Sequence, residues 1–124
     1  MITFFEKHNK LSWLITIVIA VIIFWLSSLT FGEGYGTTNI NSIFYHVFAF
    51  FFLGFFLLIS LLKGKNNYLL FLMGIFLVIF YGILDELHQF FVPGRYCSVF
   101  DVFLDTTGIM FAGMIYFIRI KLKK

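Results

Sequence analysis

Apolar residues come in four long runs separated by short polar or glycine-rich stretches. The first extends from Leu11 to Leu29, with Ser27 and Ser28 near its end, and gives way to the stretch Gly32 to Gly36, which reads as a loop. The second extends from Ile43 to Leu62 and is closed by Lys63, Gly64, Lys65 and Asn66. The third extends from Tyr68 to about Phe91 and is stopped by Pro93-Gly94. The fourth extends from about Val99 to Ile118 and is followed by Arg119, Lys121, Lys123 and Lys124. Each is close to the roughly 20 apolar residues that cross a bilayer as a helix. None alternates with the period of a strand, and backbone groups in lipid must be satisfied internally, which leaves helices. The pattern predicts an all-α polytopic membrane protein, with four transmembrane helices in a compact bundle and residues 1–124 forming a single domain.

Composition agrees. The chain has 124 residues, is 61% hydrophobic and 12% charged, and has a mean hydropathy of +1.01. A soluble domain is about 45–50% apolar and about 25% charged. Four spans use most of the chain and leave no room for a soluble domain. The first run is longer than a signal-peptide apolar region of about 7–15 residues, and no small-residue cleavage pattern follows it, so a retained helix is expected. Cys97 is the only cysteine, which excludes an intrachain disulfide. The +3 formal charge does not point to nucleic acid. The basic residues flank apolar runs, as membrane anchors do, and no basic stretch interleaved with aromatics is present.

Charge also sets direction. Four crossings place the N-terminus, the Lys63–Asn66 turn and the C-terminus on one side. That side carries Lys7, Lys10, Lys63, Lys65, Arg119, Lys121, Lys123 and Lys124, while the other carries only Arg95. Positive residues stay cytoplasmic, so both termini are expected in the cytosol, with the chain in the cytoplasmic (plasma) membrane. Trp13 and Tyr68 fit interfacial anchors on that side. Among the acids, Glu6 falls inside, whereas Glu33, Asp85, Glu86, Asp101 and Asp105 fall toward the outside. The inner half of the bundle reads as almost uniformly apolar.

The outward acids sit at the ends of spans. Asp85, Glu86 and Gln89 lie near the outer end of the third helix at spacings of three and four, so they are neighbours on its surface. Asp101 and Asp105 share a face of the first turns of the fourth helix, and Gly108 and Ala112 continue it with small residues that let a helix approach. His46 lies about one turn into the second helix, on a face with Phe50 and Gly54, at a depth similar to Asp105 and Asp85. Ionisable groups at such depth cost several kcal/mol, face the bundle interior and mark function. His88 points off the Gln89 face and reads as an interface anchor. Ser98, placed before the fourth helix, reads as an N-cap ahead of a nucleophile.

The ordered set Asp85-Glu86-x-x-Gln89, Phe91-x-Pro93-Gly94-Arg95, Ser98-x-x-Asp101 and Gly108 resembles the VanZ-like family of small membrane proteins. His46 is similar to the family's histidine at the start of the second helix, and Ser27-Ser28 is also family-like. The resemblance covers the four-helix plan, and residues 85–108 are its specific part. The chain departs from the family at Ser42 and Ile43, where many members carry Asp-Lys, and at Asp105, where many carry Asn. The resemblance implies a role in the bacterial envelope, since the family's namesake is associated with teicoplanin resistance.

Three readings of the outer residues stand open. In the first, the pocket acts on a lipid-linked or anionic envelope substrate. Arg95 holds a phosphate or carboxylate, with Gln89, Ser98 and Asp105 also contacting substrate, and Glu86, Asp101, His46 and Asp85 are the acid–base candidates. A divalent metal held by the carboxylates is a variant of this reading. No metal is assigned, because no His-Glu-x-x-His, cysteine cluster or phosphate loop occurs and the spacing does not name an ion. In the second reading, the pocket is a non-enzymatic module that binds without reacting. In the third, Arg95 and the acids only staple the outer loop, although four carboxylates for one arginine exceed what stapling needs. The expected partners are the lipid bilayer and, in the first reading, a lipid-linked or anionic envelope substrate, with no nucleic acid; oligomeric state and any cofactor stay open.

Overall fold

A computed structural model describes residues 2–28, 40–92 and 99–122, with side chains described from residue 43 in the second of these segments. They form five helices: α1 (Ile2–Lys7), α2 (Asn9–Ser28), α3 (Ile40–Leu62), α4 (Tyr68–Phe90) and α5 (Val99–Leu122). Helices α2 to α5 are long and apolar enough to cross a membrane, and they match the four runs to within a few residues at their ends. No strand occurs among the described residues. The short α1 is additional. The loop containing Gly32 to Gly36 and Glu33, the Pro93-Gly94 stop, Cys97, and Lys123 and Lys124 lie outside the described residues.

Helix α3 is the axis. It is the most enclosed of the four spans, and α2, α4 and α5 all pack on it. Its aromatic residues divide by face. Phe44, Phe48 and Phe52 are exposed, as a lipid-facing stripe requires, while Phe50 and Phe55 are buried. The seam with α5 is built from small residues. A Cβ at Gly54 would rest at 3.7 Å from Ala112 Cβ, and a Cβ at Gly108 would overlap the Val47 backbone carbonyl. The two backbones therefore meet at the point where the fourth run carries its glycine. Both helices run from the acidic end of the bundle to the basic end, so His46 and Asp105 fall at matching depth.

The connection from α3 to α4 is a tight turn. Lys63 and Gly64 both take positive φ, 54° and 83°, and Gly64 tolerates this without the Cβ penalty. Asn67 caps α4 by accepting a hydrogen bond from the Leu70 amide at 3.2 Å. The buried face of α4 is Gly74, Val78, Gly82, Asp85, Glu86 and Gln89. It changes from apolar to polar as the helix approaches the acidic end, which carries its carboxylates into the bundle and not into lipid.

The end of the bundle that carries the lysines, expected from the sequence to be almost uniformly apolar in its interior, holds buried polar groups. Ser12 Oγ donates to the Phe5 carbonyl at 2.6 Å, Thr16 Oγ1 donates to the Ser12 carbonyl at 2.8 Å, and Asn9 Nδ2 donates to the Ser60 carbonyl at 2.8 Å. Glu6 is buried and accepts from the Tyr116 hydroxyl at 3.1 Å, while that hydroxyl accepts from the Gly64 amide at 3.0 Å. Tyr116 thereby ties α1, α5 and the α3–α4 turn together. Arg119 donates to Thr3 Oγ1 beside it. These contacts satisfy polar groups locally and leave the apolar middle of the core to Ile23, Phe50, Leu53, Leu57, Val78 and Ile109.

Candidate functional site

Three helices converge at the acidic end. Helix α3 contributes His46, α4 contributes Asp85, Glu86 and Gln89, and α5 contributes Asp101 and Asp105. All except Asp101 are buried, at 1–3% exposure. The Asp101 side chain is 13% exposed and forms the open edge.

The tightest contact is across the α3–α5 seam. His46 Nδ1 donates to Asp105 Oδ1 at 2.7 Å. This bond fixes the ring and leaves Nε2 facing the rest of the cluster. Nε2 lies 3.7 Å from Asp101 Oδ2, beyond hydrogen-bond length but within ion-pair range. Glu86 reaches the same place from α4: one donor atom each from His46, Glu86 and Asp101 fall within 4.8 Å of one another. The imidazole thus sits in the field of three carboxylates, Asp105, Asp101 and Glu86. Such a ring can hold, give or accept a proton with its orientation already set.

Helix α4 comes close because of Gly82. A Cβ there would meet Asp105 Oδ2 at 3.3 Å and Phe50 at 3.3 Å. Gln89 Nε2 donates to Asp85 Oδ2 at 3.3 Å, one turn apart as the spacing of four predicts. Asp85 lies in turn within the field felt by Asp105. Asp105 Oδ2 and Asp101 Oδ1 are buried without a hydrogen-bond partner among the described residues.

Of the eight residues expected at the site, six are brought together here: His46, Asp85, Glu86, Gln89, Asp101 and Asp105. Arg95 and Ser98 lie outside the described residues. His88, expected to anchor at the interface, bonds Ser28 Oγ at 2.8 Å and stacks on Phe24 at 4.4 Å, closing α2 against α4. The sequence reading did not foresee this pairing, although Ser28 ends the first run at the depth where His88 approaches the end of the third.

A family model described as VanZ/LLP1 matches residues 11–120. The chain belongs to the VanZ/LLP1 family. It is accordingly a multi-pass membrane protein of that family, and the match runs over all four spans of the bundle. No curated protein and no solved structure matches the chain. Within this VanZ/LLP1 chain, the residues that carried the resemblance on the third and fourth runs, Asp85, Glu86, Gln89 and Asp101, are those that gather with His46. Gly108, the last of them, sits at the closest approach of α3 and α5.

Proposed function

We propose that this protein uses the acidic end of its bundle, at the outer leaflet of the cytoplasmic membrane, to engage a lipid-linked or anionic envelope substrate. The observation that carries this reading is the His46–Asp105 contact with Asp101 and Glu86 gathered at the other ring nitrogen. Placing several ionisable groups at one end of an apolar bundle is costly and is the usual mark of a functional site in a membrane. In this reading Asp105 positions His46 through its bond to Nδ1. His46 is the proton carrier, and Glu86 and Asp101 are its acid–base partners or further contacts. Asp85 and Gln89 hold one another on the buried face of α4. Arg95, beside these helix ends in the chain, supplies the anion-binding fork. Substrate recognition of this kind accounts for a link to glycopeptide tolerance, whether the pocket only binds or also transfers a proton.

A second reading has its own support. The Ser28–His88 bond staples α2 to α4, and in this reading the acids likewise serve only to hold the helix ends and the outer loop. Glu86→Gln and Asp101→Asn separate the two, because each keeps side-chain volume while removing the charge. Membrane level and teicoplanin tolerance are measured together. Unchanged level with lost tolerance supports the functional pocket, and a parallel fall of both supports stapling.

A further inference from the structure

We propose that His46, Glu86 and Asp101 bind one divalent transition-metal cation of the Zn2+ or Mn2+ class. The donor set is one imidazole and two carboxylates from three different helices, within 4.8 Å of one another. Imidazole suits zinc and its neighbours, while carboxylates suit manganese, so this set selects the first-row divalent ions over Ca2+ or Cu+. Metal–ligand bonds of about 2.0–2.2 Å bring adjacent donors to roughly 3 Å apart, so the cluster closes by side-chain shifts of about 1 Å.

Two further observations point to a cation. The first is the outer contact of the histidine. His46 Nδ1 donates to Asp105 Oδ1 at 2.7 Å, so a cation that displaces any proton on Nε2 finds a lone pair there with the ring already oriented. A carboxylate on the far nitrogen is the arrangement that orients metal-binding histidines and raises their basicity. Nε2 lies 3.7 Å from Asp101 Oδ2, a separation that one ion with bonds of about 2 Å to each can bridge. The second observation is the pair of buried oxygens, Asp105 Oδ2 and Asp101 Oδ1, without hydrogen-bond partners among the described residues. Asp105 is 1% exposed, and its free oxygen faces α4 at Gly82, one turn before Glu86. A buried carboxylate that stays ionised needs a paired charge or a metal, and a cation held by this cluster supplies one.

Three protein donors leave coordination positions open. A cation there offers positive charge to an anionic headgroup at a mouth lined by carboxylates. That role rests on the function proposed above, whereas ion binding itself does not, and the two are measured separately.

The test uses the full-length protein in detergent, stripped with chelator. Zn2+ is titrated calorimetrically and Mn2+ by the loss of its free-ion paramagnetic resonance signal. The expected result is one ion per chain, with affinity reduced at least tenfold by His46→Ala, Glu86→Gln and Asp101→Asn, and unchanged by His8→Ala at the other end of the bundle. Asp105→Asn keeps an acceptor for Nδ1 and is expected to weaken binding about 10–100-fold, as other changes beyond the direct ligands do. Helicity and elution volume accompany each variant, and a variant that has lost its fold is replaced by the remaining two ligands' variants. Absence of a stoichiometric ion, or wild-type affinity in Glu86→Gln and Asp101→Asn, overturns the proposal. Retention of a lipid-linked precursor by chelated protein would then leave the functional reading standing without the metal.

Discussion

His46 and Asp105, 59 residues apart in the chain, meet at 2.7 Å across the α3–α5 seam. The contact exists because Gly108 lets α5 lie against the Val47 carbonyl. Backbone proximity comes first, and the side-chain pair follows from it. The same seam presents the other ring nitrogen to Asp101 and Glu86.

Removing the acceptor and keeping it should have different consequences. Asp105→Ala leaves a buried imidazole donor unsatisfied and is expected to cost about 1–3 kcal/mol. Asp105→Asn retains an amide oxygen for Nδ1 and should cost less than about 1 kcal/mol. Equilibrium unfolding in mixed detergent micelles gives both values, and equal losses would show that Asp105 does not hold His46.

Two glycines on the seam should respond with opposite sign. A methyl at Gly108 collides with backbone, which cannot rotate away, so Gly108→Ala is expected to cost about 1–3 kcal/mol by forcing the helices apart. A methyl at Gly54 finds ordinary contact at 3.7 Å. Gly54→Ala should be neutral or stabilising by up to about 1 kcal/mol through helix propensity. Thermal unfolding of the two variants in one detergent checks the difference.

Much of this was legible in the sequence because lipid imposes strong rules. Run length located all four spans, and the spacings 85, 86, 89 and 101, 105 placed Asp85, Glu86, Gln89 and Asp105 on buried faces, with Asp101 at the partly exposed edge. His46 was reachable because equal depth in α3 and α5 follows from their common direction. Glu6 and Tyr116 were not legible as a pair. A lone tyrosine inside an apolar run carries no periodic signal, and Glu6 belongs to a helix too short to announce itself. Ser12 and Thr16, four residues apart, were the available hint of the inner hydrogen-bond ladder to Ser60. The Ser28–His88 bond depends on how α2 leans on α4, which one-dimensional spacing does not encode.

Tyr116 separates structural polarity from functional polarity. Tyr116→Phe removes the bonds to Glu6 and Gly64 and is expected to cost about 1–2 kcal/mol, from two net hydrogen bonds. It should leave binding at the acidic end unchanged, since that end is built from other residues. Unfolding and precursor-binding assays on the same preparation give the comparison.

Orientation has a direct check. A cysteine at the exposed Lys65, in a Cys97→Ser background, should react with a membrane-impermeant maleimide only after the cells are permeabilised. Labelling in intact cells would invert the bundle and move the acidic end into the cytosol.

The central claim is that the charges gathered around His46 form a working pocket and not a set of staples. The most direct measurement is incubation of the purified protein in lipid nanodiscs with a radiolabelled lipid-linked envelope precursor, wild type beside Glu86→Gln at matched folded fraction. The account predicts retention or conversion by the wild type and at least a tenfold loss in the variant with unchanged thermal stability. No interaction with the precursor in the wild type, or the same interaction in both proteins, would contradict it.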